Sequence, residues 1–250
     1  MTRHRTRWAL PIAAALSMQV SACGDNPDTA ATHSDIASSS PEANAPSAIT
    51  QQAWTLLSDE PEDVPLEEGD YALTANGATQ KRAVVRAPQG FSNYRGWTFV
   101  ADEPFHAMGY VTADRVFQDP CGSTRHSKYA TARDPGPTVA DLAEALIAQK
   151  GAVTSTPAPV TIDGHAGLHL EYRISKGVDV TGCEDRAFDI FTTGPGGWYL
   201  EASREQAGIW ILDVDGDRVV LAWVAVPGVT RDQMNDMTAM VESARFVNSG

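Results

Sequence analysis

The sequence predicts an α+β fold in which an antiparallel β-sheet is flanked by helices, after a disordered N-terminal tether. Three observations predict it. Apolar, β-branched runs are joined by tight-turn signals, two segments combine helical periodicity with capping residues, and residues 24–50 contain no aromatic residue. Strands that are joined by hairpin turns pair antiparallel, and their helices are then segregated from them, which defines the α+β class.

Residues 1–22 have the organisation of a secretory signal peptide. Arg3, Arg5 and Arg7 form a positive n-region, and residues 8–16 form an apolar h-region. A membrane-spanning helix needs about 20 predominantly apolar residues, and this segment is shorter. The sequence therefore predicts export rather than a transmembrane span.

The apolar segment ends in VSAC, residues 20–23, which is a branched apolar residue, two small residues and a cysteine. This pattern resembles the lipobox of bacterial lipoproteins. The resemblance implies cleavage before Cys23 and a diacylglyceryl group on its thiol, which would anchor the protein to the outer face of the cell membrane. Two acyl chains anchor a protein stably without a basic patch. An ordinary secreted protein with a free or paired Cys23 is the alternative.

Residues 23–68 are predicted to be the lipidated, disordered tether, and residues 69–248 the globular domain. Residues 24–50 are dominated by Ala, Ser, Pro, Asp and Thr, which cannot bury a core. Residues 58–68 contain six acids and two prolines. We interpret them as a solvated approach to the domain, because prolines and irregular spacing argue against a preformed calcium loop.

Alternating or β-branched apolar runs mark the strands. Asp163-Gly164 and Asp215-Gly216 each separate two such runs, and Asp-Gly favours the two-residue turn of a β-hairpin. The GPGG sequence at 194–197 marks a third turn. The expected strands are residues 71–74, 82–87, 97–101, 108–117, 158–162, 165–174, 188–192, 198–203, 209–214 and 218–226.

Two helices are expected, over 138–151 and from residue 230 onwards. Thr138 is a plausible N-cap with Asp141 three residues later, and Gly151 is a good C-terminal stop. Thr230 and Gln233 form the corresponding capping pair of the second helix. Its methionine-rich apolar stripe is interpreted as core, with an adaptable binding face as the alternative. The stripe is Met234, Met237, Val241 and Ala244.

The C-terminal third carries a resemblance to a known fold. WILDVDGDRVVLAWVAVPGVT, residues 210–230, is followed by a helix and MVESARF, residues 240–246. This ending resembles the PsbP-like domains of actinobacterial cell-envelope lipoproteins. The resemblance implies a central antiparallel sheet between helices, an αβα sandwich, and mostly non-enzymatic roles. It transfers no catalytic residue.

Cys121 and Cys183 are expected to form a disulfide. An exported protein enters an oxidising compartment, and with Cys23 lipidated these two cysteines can pair in only one way. The pair would close a loop of 62 residues. A reduced buried pair and a metal site are the alternatives, and two isolated cysteines are weak evidence for a metal.

Other chemistry-bearing motifs are weak. His165 and His169 have the spacing of helical metal ligands, but residues four apart on a strand are about 13 Å apart. Residues 213–218, DVDGDR, contain three acids but lack the span of an EF-hand loop, so we interpret them as a turn. His106 and His126 are expected at the surface. Ser123 with His126 has no spacing that supports a nucleophile and base, and no nucleophile-elbow or phosphate-binding loop is present.

Strand aromatics are the feature with most functional promise. Core packing is their default role, and the alternative is a cleft between sheet and helix for an apolar or glycan ligand. The candidate cleft residues are Trp97, Tyr110, Trp198, Trp210 and Trp223.

The net charge of the chain indicates which classes of binding partner can be expected. The chain has 19 basic and 32 acidic residues, a net charge of −13, and removal of residues 1–22 makes it −16. A chain this acidic repels nucleic acid. We expect a non-enzymatic, membrane-anchored domain that binds an envelope protein or wall component, without a cofactor. A carrier or sensor of a small apolar ligand is the second hypothesis, and an enzyme the third.

Overall fold

The structure is a computed structural model that describes residues 54–122, 127–193 and 196–249. The described part contains two α-helices and sixteen strands, mostly antiparallel, so the predicted α+β class is confirmed. The helices are α1 (Val139–Ile147) and α2 (Arg231–Glu242). The strands are β1 (Thr55–Leu56), β2 (Gly69–Thr74), β3 (Lys81–Ala87), β4 (Ser92–Tyr94), β5 (Thr98–Asp102), β6 (Phe105–Val111), β7 (Arg115–Phe117), β8 (Ala132–Arg133), β9 (Ala152–Thr154), β10 (Ala158–Ile162), β11 (His165–Ile174), β12 (Phe188–Thr193), β13 (Gly196–Leu200), β14 (Gln206–Val214), β15 (Asp217–Ala225) and β16 (Arg245–Asn248).

The centre of the fold is an 8-stranded antiparallel sheet. Its order is β10-β11-β14-β15-β6-β5-β4, and β9 pairs with the second half of β11. The long β14–β15 hairpin runs in register from Gln206 opposite Ala225 to Val214 opposite Asp217. Two 4-stranded sheets lie outside it, β1-β2-β3-β16 and β13-β12-β7-β8.

Both faces of the central sheet are buried along β14 and β15. Along β14, Trp210, Leu212 and Val214 pack with α2 and the β1-β2-β3-β16 sheet, while Ile209 and Ile211 pack with α1 and the β13-β12-β7-β8 sheet. Side chains of a strand alternate between the two faces, so one strand serves two cores. This explains why β14 and β15 are apolar almost without interruption.

The local signals for turns and helices are confirmed. Asp163 and Gly164 have φ of 50° and 81°, and Asp215 and Gly216 have φ of 55° and 91°, as a tight hairpin turn requires. Both capping boxes form: the hydroxyls of Thr138 and Thr230 accept hydrogen bonds from the backbone N–H groups three residues later. In α2, Met240 joins Met237 and Val241 in the core, and Met234 is only partly buried.

One expected strand is corrected. Residues 108–117 were predicted as one strand, but β6 ends at Val111 and β7 begins at Arg115 in a different sheet. The Asp114 N–H donates to the Thr192 carbonyl at 2.9 Å, so the chain leaves its pairing with β15 and joins β12. The hydrophobic pattern continues across the crossing because both strands face one core.

The start of the domain is also corrected. Residues 55–68 were assigned to the tether, yet they contain β1 and the buried side chains of Leu57 and Leu66. These two leucines pack into the same core as α2, while Asp59, Glu62 and Asp63 between them are exposed. The acid-rich composition hid a segment that contributes two core residues. The predicted segments 1–22 and 23–53 lie outside the described residues.

Candidate functional site

The five predicted cleft residues do not lie together. Tyr110, Trp210 and Trp223 are at most 3% exposed and belong to the core beneath α2. Trp97 and Trp198 lie on the opposite face of the central sheet. Two groups of aromatic residues therefore replace the single predicted cleft, and the group beneath α2 is closed to solvent.

The closed group is packed around a glycine. A Cβ at Gly208 would lie 2.6 Å from Cε2 of Trp223 and 2.8 Å from Cζ3 of Trp210, so the absent side chain lets the two indoles pack over β14. Burial raises the pKa of the neighbouring Tyr110. These residues are part of the buried core beneath α2.

The open group forms what we call the aromatic patch: Tyr94, Arg95, Trp97 and Trp198. The ring centroids of Tyr94 and Trp97, and of Trp97 and Trp198, are each 6.1 Å apart. The Arg95 guanidinium lies over the Tyr94 ring, 5.2 Å from its centroid. Tyr94 and Trp97 are partly exposed, and Arg95 is exposed. The patch combines ring faces with a cation at the surface.

Local backbone features build the aromatic patch. Arg95 and Gly96 have φ of 57° and 73°, which closes the β4–β5 hairpin and presents the two flanking aromatic residues. The Asn93 side chain accepts a hydrogen bond from the Gly96 N–H at 2.8 Å. Beneath the patch, a Cβ at Gly109 would lie 2.8 Å from Cζ3 of Trp198, so this glycine seats the indole on β6.

Tyr199 extends the aromatic character next to the patch. It is partly exposed, and burial together with the Glu201 carboxylate raises its pKa. Tyr94 and Arg95 are close enough for their charges to influence this pKa. The phenol therefore stays protonated at neutral pH.

A second surface feature, the polar groove, lies on the α2 side of the central sheet. It is a cavity of about 290 Å³ where β9, β11 and β14 run side by side. None of the predicted cleft aromatics lines it. The lining residues are Val153, Thr154, Ser155, Glu171, Tyr172, Arg173 and Gln206.

A histidine–tryptophan stack borders the polar groove. The His169 ring lies on Trp210 with centroids 4.1 Å apart, and its Nε2 is 3.5 Å from a Glu171 carboxylate oxygen. Burial lowers the pKa of His169, and partial burial raises the pKa of Glu171. At neutral pH the imidazole is therefore uncharged and does not neutralise the carboxylate.

A further cavity of about 330 Å³ adjoins the end of β11. Its lining is formed by surface loops and is mostly polar: Ser175, Lys176, Gly177, Val178, Asp179, Ser203 and Arg204. Both cavities are open to solvent and are lined mainly by polar residues, whereas the ligand-carrier hypothesis requires an enclosed apolar pocket.

The predicted weak metal motifs have structural roles in the described residues. Asp215 pairs with Lys81 at 2.7 Å, and Asp217 accepts from Thr79 at 2.8 Å. His165 and His169 both lie on β11, and the described residues contain no group of three His, Cys, Asp or Glu that could hold a metal ion. His106, expected at the surface, is 5% exposed, and its Nδ1 lies 2.7 Å from the Pro104 carbonyl oxygen. Ser123 and His126 are outside the described residues.

Cys121 and Cys183 are joined by a disulfide, as predicted, with Cα atoms 4.6 Å apart. Cys23 lies outside the described residues.

A buried lysine cluster, which the sequence did not predict, lies beside the disulfide. The Lys128 side chain is 1% exposed, and its amine contacts the carboxylates of Asp185 and Asp189. Lysine is rarely buried, so its sequence position carried no signal for this cluster.

No family model and no curated protein matches the chain. In the described residues, no helix is both long enough and apolar enough to cross a membrane. The aromatic patch and the polar groove are therefore the two features from which a function can be inferred.

Proposed function

We propose that the chain is a lipoprotein anchored through Cys23 to the outer face of the cell membrane, whose folded domain is a non-enzymatic binding module for a wall component. The observation that carries this proposal is the aromatic patch, in which the partly exposed rings of Tyr94 and Trp97 lie beside the exposed Arg95. The disulfide is compatible with an extracytoplasmic location.

The composition of the patch favours a polysaccharide as the wall component. Partly exposed rings of Tyr94 and Trp97 offer flat apolar faces, and Arg95 offers hydrogen-bond donors at their edge. A sugar presents the matching surfaces, because its ring has apolar C–H faces and a rim of hydroxyls. Rigid aromatic side chains lose little entropy on binding.

The competing hypotheses have less support. A carrier of a small apolar ligand needs a roomy apolar cavity, whereas Trp210, Trp223 and Tyr110 are packed into the core. Glu205 has a pKa raised to about 7, but its carboxylate accepts two backbone N–H groups, which assigns it a structural role rather than a catalytic one. An envelope protein remains the second candidate partner for the same patch.

We also propose that the domain is a PsbP-like variant. One helix packs on each face of the central antiparallel sheet, which supports an αβα arrangement. The two additional small sheets, β1-β2-β3-β16 and β13-β12-β7-β8, would then be elaborations of that core.

Cosedimentation of the purified chain with insoluble wall polysaccharide tests the binding proposal. We expect Trp97→Ala to reduce the bound fraction about tenfold, because a central aromatic contact at an interface is worth about 1–2 kcal/mol or more. Tyr129→Ala is the control, because Tyr129 is 57% exposed and is not part of the patch. Equal binding by the two variants would contradict the role of the patch. Binding to wall material that is lost once protein has been removed from that material would indicate a protein partner instead.

Membrane fractionation tests the anchor separately. Cys23→Ala should leave the membrane fraction or accumulate as unprocessed precursor, because the thiol that carries the acyl chains is gone. A variant that is processed and remains equally membrane-bound would show that the chain is not a lipoprotein.

A further inference from the structure

The polar groove lies where the central sheet is not covered by α2. That helix packs on β15, β6 and β3, whereas the groove is formed by β9, β11 and β14. Gln206 marks the boundary, since its amide Nε2 lies 2.9 Å from the Met234 sulfur of α2. Val153, which is 39% exposed, gives the groove an apolar contact.

Two opposite charges line the groove without neutralising each other. Glu171 and Arg173 are two positions apart on β11, so their side chains leave the same face about 7 Å apart. In the described part of the chain, the Arg173 guanidinium makes no ion pair or hydrogen bond. Among the described residues, the Glu171 carboxylate has an ion-pair contact with the His169 ring alone, and burial lowers the pKa of that ring. Both charges are available to a ligand.

We propose that the polar groove binds a small zwitterion, a free amino acid or a dipeptide with free ends. The Glu171 carboxylate would accept hydrogen bonds from the ammonium group of the ligand, and the Arg173 guanidinium would donate hydrogen bonds to its carboxylate. The Gln206 amide would form a hydrogen bond with the part of the ligand between these two groups. The two charges of the groove are opposite in sign to the two charges of the ligand. Hydrogen bonds between charged groups are stronger than those between neutral groups. A volume of about 290 Å³ is at the lower end for ligand pockets, which fits a ligand of this size.

The proposal concerns a site separate from the aromatic patch and does not rest on its function. Trp97→Ala should therefore leave zwitterion binding unchanged. The two proposals can fail independently, because the groove and the patch lie on opposite faces of the central sheet.

Titration of the full chain with alanyl-alanine, followed by calorimetry or NMR shifts, tests the proposal. We expect saturable binding that falls about tenfold or more when the dipeptide is N-acetylated or C-amidated, because each block removes one charged hydrogen-bond group. Arg173→Gln should weaken binding of the free dipeptide by a similar factor, and the variant should no longer bind the free dipeptide more tightly than the C-amidated one. Glu171→Gln should likewise weaken binding of the free dipeptide, and the variant should no longer bind the free dipeptide more tightly than the N-acetylated one.

Two exposed residues provide matched controls for charge and folding. Arg231→Gln and Glu242→Gln make the same changes on α2, outside the groove, and should bind like the wild type. Absence of saturable binding to the wild type overturns the proposal. So does equal affinity for free and blocked dipeptides, or unchanged affinity in folded Arg173→Gln protein.

Discussion

At the scale of single residues, Glu205 is a buried carboxylate that has no ion-pair partner among the described residues. It is 2% exposed, and one carboxylate oxygen accepts from the N–H groups of Glu201 and Ala202 at 2.7 and 2.8 Å. Burial raises its pKa from 4.5 to about 7, and the two hydrogen bonds limit the rise. Desolvation therefore outweighs the hydrogen bonds that favour the ionised form.

This imbalance predicts a pH dependence of stability. Between pH 4.5 and 7 the folded state holds a proton that the unfolded state has released, so the free energy of unfolding falls as pH rises through this window. The loss from this group is about 3 kcal/mol at most. Glu205→Gln keeps an acceptor and removes the charge, so urea unfolding of the variant should depend less on pH between 5 and 8. The exposed Glu144→Gln should follow the wild type, and parallel curves for Glu205→Gln and wild type would refute this account.

At the scale of elements, the β14–β15 hairpin depends on close packing at Gly208. A Cβ there would lie 2.6 Å from the Trp223 indole, and Trp210 lies on the other side. Both indoles are 3% exposed and are packed in the core beneath α2. A methyl group at this position must therefore displace rings in the core.

We expect Gly208→Ala to lower the free energy of unfolding by about 1–3 kcal/mol, the usual cost of overpacking. Gly177→Ala is the matched control, because a Cβ at Gly177 meets nothing within 4 Å. That variant should be neutral or slightly more stable, since alanine restricts the unfolded chain. Tryptophan fluorescence during urea unfolding measures both, and equal stabilities would mean that the indoles have space that the structure does not show.

Whether an element could be predicted from the sequence depends on whether its partners are close in sequence. The Asp-Gly turns and the two capping boxes are local, since their hydrogen bonds join residues two to four apart, and they were predicted correctly. Strand β16 has four residues and exists because a strand that is distant in sequence pairs with it. Arg245, for example, pairs with Val84. Nothing within four residues of β16 encodes that partner.

The candidate sites follow the same rule. Trp97 and Trp198 were recognised as aromatic strand residues, but their contact depends on Gly109, which is distant from Trp198 in sequence. Gln206 and Arg173 become neighbours only when β14 pairs with β11. Residue type was therefore predictable at these sites, whereas the grouping of residues required the sheet topology.

At the scale of the whole molecule, the central sheet separates two cores, and the disulfide lies on the α1 side. It joins the segment after β7 to the segment before β12. Around it, the Glu184 N–H donates to the Cys121 carbonyl at 2.9 Å, and buried Lys128 contacts Asp189. The disulfide and this cluster hold one edge of the outer β13-β12-β7-β8 sheet together.

We therefore expect Cys121→Ser with Cys183→Ser to lower the free energy of unfolding by up to about 4 kcal/mol, the chain-entropy value for a loop of 62 residues. The loss should be uneven across the molecule. Hydrogen exchange should accelerate in β7, β8 and β12, whereas β14 and β15, which are buried on both faces, should keep their protection. Intact mass after alkylation of the unreduced wild-type domain should reveal neither Cys121 nor Cys183 as a free thiol. Two modified thiols there, or exchange that rises equally in β14 and β15, would show that the disulfide does not act locally on the outer sheet.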